Sequence, residues 1–411
     1  MIDLTLLREN PQYIIDRIKT KDPDWNGEKL YTTDQKIRHI KQEVETLRHQ
    51  KNELAKAAQN GITTKIREQS KNVGQELKKK EALLKEVEKE FTSLCLSTPN
   101  IPQTDVPIGG KESNQVIKIV GEKPSFTFEP KHHLELAENL NWLDFEIGAK
   151  LTGSNFAFYK SDAVKLMYAL PMFMLKNNIE YGYQPVIPSV LINETSLQVA
   201  GNFPKFKDDV YSIENDNLYL TPTAEVNLAN MYRDHIFTQD QLPIRLTAWT
   251  SCFRKEAGNY GAHERGLIRL HQFEKIELFT LCEPEKSSEE LDRMIACAES
   301  ILQKLDLHYR ISLLATQDIS FQSAKTYDIE VWLPGQKEYY EVSSASNCLD
   351  FQARRGKIRY RNTGTHKTEY VHTLNGSSLA LPRLLVAIME TYQQADGSIA
   401  LPSILKNEGI F

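Results

Sequence analysis

The sequence predicts an α+β chain in two parts: an N-terminal antiparallel α-helical coiled-coil hairpin, then an antiparallel β-sheet domain flanked by helices. A long apolar stripe at helical spacing runs through residues 34–96 and breaks once, at Asn60-Gly61. Pro99, Pro102, Pro107 and Gly109-Gly110 then close that region as a linker. From about Leu134 onward, short alternating strand-like runs with few intervening helices signal an antiparallel sheet. The expected domains are 1–107, with its arm at 34–96, and 108–411.

In the arm, Ile37, Ile40, Val44, Leu47 and Leu54 recur at steps that share one helical face, interrupted by Lys51. After the break, Ile66, Val73, Leu77, Leu84, Val87, Phe91 and Leu94 repeat the pattern, with Ser70 and Lys80 in register. Gly ends helices and reverses chains, so two long helices folding back on each other are expected. Such a hairpin buries only a narrow seam, and its surface is rich in Lys and Arg. A solvated coiled coil for dimerisation or spacing and an arm that touches RNA phosphates both fit that surface.

In the second part, helices are expected over Asp162–Asn177, Ser288–Leu305 and Ala380–Gln393. Strands are expected over Leu218–Leu220, Leu246–Ser251, Ile268–Phe279 and Glu338–Ser343. The composition, 40% hydrophobic and 26% charged over 411 residues, suits a folded chain with a sizeable core. A net charge of -5 argues against a protein that merely coats nucleic acid, so any RNA contact needs a local basic surface. The five cysteines form no CxxC pair and read as reduced thiols. No apolar run is long enough to span a bilayer and no leader pattern opens the chain; both absences fit a cytoplasmic enzyme with no membrane partner.

Three segments carry chemistry. Thr250–Gly258 and Arg265–Glu277 are strand-like runs around a charged, Gly-containing loop, Asn259–Glu264, with Arg254 and Arg269 on its inner sides. Two converging arginines suit a phosphate clamp, but on the pattern alone a hairpin with cross-strand salt bridges is the simpler account. In Glu341-Val342-Ser343-Ser344, strand alternation puts Glu341 and Ser343 on one face, and Ser344 with Glu341 only if the strand bends after Val342. Carboxylate and hydroxyl oxygens suit a hard cation such as Mg²⁺. The third segment is a small polar turn, Asn375–Ser378, leading into an apolar helix that carries Arg383. That arginine either meets an anion or snorkels at the core's rim.

These segments resemble the signature motifs of the class II aminoacyl-tRNA synthetases in their seryl form. Arg254-Lys255-Glu256, with Gly266–Arg269 and His271-Gln272-Phe273, is similar to motif 2. Asn375-Gly376-Ser377 through Arg383 is similar to motif 3, and Tyr181-Gly182-Tyr183 through Pro188 to motif 1, whose proline lies at a dimer interface. Thr221–Glu225, Glu341–Arg355, Asp396–Ile399 and the opening Leu6–Pro11 resemble segments peculiar to the seryl enzymes. The likeness runs nearly end to end.

The resemblance implies a homodimeric serine–tRNA ligase using ATP and Mg²⁺. Serine's carboxylate attacks the α-phosphate of ATP, and the seryl group then passes to the terminal ribose of serine tRNA, and to selenocysteine tRNA where the organism has it. Arg254 would bind the α-phosphate and Glu256 the adenine amino group. Phe273 and Arg383 would sandwich the base, with Arg383 also reaching the γ-phosphate, and Arg254 and Arg383 are the catalytic pair. Lys255, Leu270, Val342 and Ser343 complete the implied ATP set, and Glu341 with Ser344 would hold Mg²⁺. L-serine would be held by Thr223, Ala224, Glu225, Arg254, Glu277, Asn375 and Ser377, and the arm would grip the tRNA's long variable arm. Ala345, Ser378, Pro382 and Val199–Phe203 depart from the seryl pattern and put loop detail in question. A relative that loads a carrier protein would lack the arm, and a degenerate relative would be expected to lose Arg254, Glu277 or Arg383.

Overall fold

The computed structural model describes residues 1–59, 61–256 and 266–406. The chain divides into two compact units, Ile2–Pro99 and Asn100–Phe411, the second also including Met1. The division falls at Pro99/Asn100, short of Pro107. The Asn100 and Gln103 amides already donate to Phe321 and Ala324, and the Asn100 side chain donates to the Gln322 and Cys348 carbonyls.

The first unit is built on α1, Gly27–Gln59, and α2, Thr64–Ser97. α1 begins seven residues before the expected arm and α2 ends one residue beyond it; at 1.5 Å per residue each spans about 50 Å. Asn60 lies outside the described residues. Gly61 takes φ 133°, and Thr63 caps α2 by accepting from the Ile66 amide. The seam buries Ile37, Ile40, Val44, Leu47, Leu77 and Val87, with Val73, Leu84 and Phe91 against them. Leu54, Ile66 and Leu94 are only half-buried, so the seam thins toward both ends of α2. Lys80 occupies a seam position and ion-pairs with Glu43 at 2.7 Å, while Lys51 faces water. At the arm's base, Arg8 makes a two-pronged bond to the buried Asp34.

The second unit centres on eight strands: β1 Gln115–Val120, β2 Gln184–Pro185, β3 Ile244–Phe253, β4 Gln272–Cys282, β5 Tyr309–Leu313, β6 Lys325–Leu333, β7 Glu338–Asn347 and β8 His372–Ala380. Their order is β1-β5-β6-β7-β8-β4-β3-β2, antiparallel throughout except between β2 and β3. Helices α3 His133–Asn139, α4 Ser161–Glu180, α5 Ala224–Asn230, α6 Ser287–Lys304 and α7 Leu381–Tyr392 complete the frame. Alternation along β4 sorts its side chains. Ile276 and Leu278 join the large core that includes Leu170, Ile301 and Leu385 from α4, α6 and α7. Phe279 and Leu281 face a second core with Val226 and Leu228 of α5.

Two expectations are corrected. Asn375–Ser378 lies within β8, not in a turn, because its backbone continues the ladder to β4 and β7. Gly376 permits that approach, since a Cβ there would come within 2.8 Å of the Met294 sulfur and 3.2 Å of Ala345 Cα. The strand expected from Ile268 starts at Gln272, since Gly266–Ile268 forms a short 3-10 turn. Among the described residues no helix is long and apolar enough to cross a membrane.

The seam predicts a cost. Leu77→Ala should destabilise the arm by about 2–3 kcal/mol, read as loss of helical circular dichroism in urea. A change below about 1 kcal/mol would mean that the seam contributes little.

Candidate active site

The sheet face carrying α5 is hollowed into a cavity of about 470 Å³. Its lining includes Thr223, Glu225, Arg254, Lys275, Glu277, Glu341, Ser344, Asn375 and Ser377. A smaller cavity of about 110 Å³ adjoins it, bounded by Leu267, Ile268, Leu270, Phe273, Pro382 and Arg383. Arg254, Glu256, Arg269, Lys275, Glu341 and Ser377 border both.

Two β-bulges decide which side chains reach this space. Between β6 and β7, Ile329 opposes Ser343 but Glu330 opposes Glu341, so Val342 is an extra residue. An extra residue reverses the alternation beyond it, which puts Ser344 on the face of Glu341. Val342 is buried in the core and Ser343 donates its hydroxyl to the Ser377 carbonyl, so neither side chain lines a cavity. Between β4 and β8, Ile276 opposes Leu379 and Glu277 opposes Ser377, leaving Ser378 extra. Ser378 therefore turns away and donates to Asn178 at 2.9 Å, while Ser377 and Asn375 face inward.

The deep end of the larger cavity is acidic. Thr223 caps α5 through the Glu225 amide and donates its hydroxyl to Glu277 at 3.0 Å. Lys275 also pairs with Glu277, both buried. Glu225 is fully buried and accepts from two neutral amides, Gln352 at 2.7 Å and Gln322 at 3.1 Å. Burial first, then the Glu277 carboxylate, raises its pKa to about 7. Asn375 donates to the Cys348 sulfur at 3.2 Å. Ala224 is packed in the second core and lines neither cavity.

The other end is cationic. Arg254 donates through Nε to the Pro222 carbonyl at 3.3 Å, and its guanidinium lies 5.2 Å from the Phe273 ring centre. Arg383 lies in the first turn of α7, one residue after Pro382, which the helix start accommodates. It donates to the Ile268 carbonyl at 3.2 Å and reaches the Glu341 carbonyl and carboxylate at 2.8 and 3.1 Å. Arg269 pairs with Glu256, both lying beyond the facing ends of β3 and β4, and Arg254 and Arg269 border the same two cavities. The loop residues Asn259–Glu264, with Ala257, Gly258 and Arg265, lie outside the described residues. Lys255 lines neither cavity; its ammonium lies 5.7 Å from the Tyr211 ring centre.

The donor set around Glu341 and Ser344 fits a hard cation. Asp328 opposes Ser344 on β6 and hydrogen-bonds with it, and its Oδ1 is buried without a hydrogen-bond partner among the described residues. Burial, then the neighbouring Glu341 carboxylate, pushes the Asp328 carboxyl well above its ordinary range. Sequence reasoning missed Asp328, Lys275, Gln322 and Gln352. Alternation from Glu277 could have found Lys275, but the other three come from a partner strand, a loop and a short helix that spacing does not bring together. Of the departing positions, Ala345 packs in the core, and Asn202 lines the larger cavity.

Comparisons with known proteins agree with this geometry. Residues 1–102 match the family model "Seryl-tRNA synthetase N-terminal domain", and 206–392 match "tRNA synthetase class II core domain (G, H, P, S and T)". The serine–tRNA ligase of Nautilia profundicola is 47% identical, covering 99% of this chain and 99% of its own. That of Chlamydia abortus is 44% identical, covering 99% and 97%. The seryl-tRNA synthetase of Pyrococcus horikoshii, solved in complex with ATP, superposes with a TM-score of 0.94 at 33% identity, covering 100% of this chain and 98% of that one. On the fold, the paired cavities and these matches, the chain belongs to the seryl-tRNA synthetases, the serine–tRNA ligases of class II.

Proposed function

We propose that the two cavities form one site for seryl-adenylate, with adenine in the smaller and serine and the phosphates in the larger. The observation that carries this reading is the shared border: Arg254, Glu341 and Ser377 touch both spaces, where the α-phosphate of a bound ATP would meet the serine carboxylate. Phe273 and Arg383 flank the base, Glu256 reads its amino group, and Leu270 packs at its edge. Arg254 balances charge on the α-phosphate as the carboxylate oxygen attacks and pyrophosphate leaves. Glu341 and Ser344 would hold Mg²⁺, with Asp328 behind Ser344; the cation would supply positive charge to the phosphate oxygens. Lys255, Val342 and Ser343 act through their backbone or as packing.

Glu225 receives the serine ammonium and Glu277, with Thr223, Asn375 and Ser377, the hydroxyl end. Ala224 supports Glu225 from the helix start. A buried acceptor left unpaired by alanine discriminates strongly against it. In the second half-reaction the terminal ribose hydroxyl of serine tRNA attacks the seryl carbonyl and AMP departs.

The arm recognises the tRNA. Lys41, Arg48 and Lys80 are consumed in ion pairs with acids on the opposite helix, Glu88, Glu81 and Glu43. Lys65, Arg67, Lys71, Lys78 and Lys79 are exposed and form no ion pair among the described residues. That basic run on α2 is suited to phosphates of the long variable arm, and selenocysteine tRNA would be charged by the same route. The reading makes the protein cytoplasmic, in keeping with five buried free thiols. It also makes it a homodimer around Pro188. Ile187 there is 96% exposed, beside the exposed Leu191 and Met231.

Three measurements test this. Replacing Lys65, Arg67, Lys71, Lys78 and Lys79 by Glu should raise the KM for serine tRNA by about tenfold or more and leave serine-dependent ATP–pyrophosphate exchange unchanged. Normal charging by that variant would make the arm a spacer, and a native chain that forms adenylate yet never loads tRNA would point to carrier loading. Because an ammonium favours ionised Glu225, and its carboxyl in the empty site titrates at about 7, serine binding expels a proton below that pH. Affinity should therefore be full above the pKa and fall as pH drops through it. The serine KM should rise roughly tenfold between about pH 8 and pH 6, and Glu225→Gln should flatten this dependence. Ile187→Asp should shift the mass seen by light scattering from dimer to monomer; an unchanged mass would place the interface elsewhere.

A further inference from the structure

Glu390 is a fully buried carboxylate on α7 with no cation beside it among the described residues. Four N–H donors satisfy it instead. The backbone amide and Nδ1 of His133 lie 3.1 Å from its Oε1, Gln336 Nε2 donates to the same oxygen at 3.0 Å, and the Gly335 amide donates to Oε2 at 2.9 Å. The His133 ring is equally enclosed, and its Nε2 accepts from the Leu267 amide at 3.4 Å. That acceptor role assigns the ring proton to Nδ1, where it bonds Glu390. Both ring nitrogens are thus engaged, so the cluster of His132, His133 and Glu390 reads as a hydrogen-bond relay and not as a cation site.

The relay ends on the wall of the smaller cavity. Leu267 and Ile268 line it, and the Ile268 carbonyl accepts from Arg383 Nε at 3.2 Å. Arg383 and Glu390 stand seven residues apart on α7, two turns along one face. The helix therefore holds the Gly266–Ile268 turn twice: directly by Arg383 through a carbonyl, and by Glu390 through the imidazole and an amide. The fit is close, since a Cβ on Gly266, whose φ is 72°, would come within 2.5 Å of His133 Nε2. The β6–β7 turn, which leads toward Glu341, is held by the same carboxylate through Gly335 and Gln336.

We infer that His133 is a positioning residue for ATP: as a neutral imidazole bridging Glu390 to the Leu267 amide, it sets the wall of the base pocket and the reach of Arg383. This rests on the reading of the smaller cavity as the adenine site. Among the described residues the serine end has no bond to the relay, so the effect should be confined to the nucleotide.

The test is ATP–pyrophosphate exchange with H133N and H133Q. Asparagine can keep a donor toward Glu390 but loses the acceptor at the Nε2 position, whereas glutamine can place its amide oxygen there. H133N should raise the KM for ATP by about tenfold with the serine KM unchanged, and H133Q should stay within about twofold of the native chain. Equal shifts in both KM values, equal defects in both variants, or no ATP effect from H133N would each overturn the inference. Should H133N fail to fold, Gly266→Ala, whose methyl would push the same turn away from His133, should give the ATP-only defect, and its absence would count against the inference. Arg383→Ala is the control: if it leaves the ATP KM unchanged, the adenine reading fails and the inference with it; if it raises the KM while H133N does not, only the role of His133 falls.

Discussion

The site depends on one constraint, the strict alternation of a β-strand, and on two places where it is broken. Val342 and Ser378 are single extra residues on neighbouring strands, and each reverses the facing of the residues beyond it. Without the first, Glu341 and Ser344 would point to opposite sides of the sheet. Without the second, Ser377 could not share a face with Glu277 while Leu379 packs in the core. Both bulges sit where a flat ladder would aim hydroxyls into the apolar layer. The sheet is thus bent out of register at the place where oxygen ligands must gather.

That geometry explains what was legible in the sequence. The arm could be read because a helical stripe is a local pattern, and the ion pair of Lys80 with Glu43 accounts for a lysine standing in its register. The strands bearing Glu277 and Glu341, and the one that ends just before Arg254, could be read from alternation. Alternation alone favoured Ser343 over Ser344, because a bulge is specified by the partner strand and leaves no mark in Glu341–Ser344 itself. For the same reason Asn375–Ser378, rich in small polar residues, read as a turn although it is the middle of a sheet. Asp328, Gln322 and Gln352 stayed hidden because their roles come from residues far away in the chain. The motif resemblance supplied names for the site's residues, but not the side-chain positions that separate Val342, Ser343 and Ala224 from those facing the cavity.

The same distances set the electrostatics. Glu277 is balanced within the protein by Lys275 and the Thr223 hydroxyl. Glu225, a short way off, is hydrogen-bonded only by neutral amides among the described residues and feels the Lys275 charge without bonding it, so burial and its acidic neighbour dominate. Two carboxylates that look equivalent in sequence are therefore unlike: Glu277 is paired directly with Lys275, and Glu225 feels that ammonium only from a distance. A cationic ligand lowers the free energy of the second far more than of the first, which orients an amino acid within the cavity. Asp328 repeats the logic at the other end, where an orphaned carboxylate oxygen behind Ser344 is compatible with a metal cation and costly without one.

The arm follows an inverse rule. Its cross-helix pairs place acids of one helix against cations of the other, which fixes the register of a seam too narrow to be held by apolar contact alone. Charges used this way are screened from a partner and turned along the hairpin. What remains for RNA is the set the register does not need, and on α2 that set is net basic from Lys65 to Lys79, where five cations outnumber Glu68 and Glu76. A chain with net negative charge can therefore present a positive strip, because folding neutralises selected lysines and leaves the others facing outward.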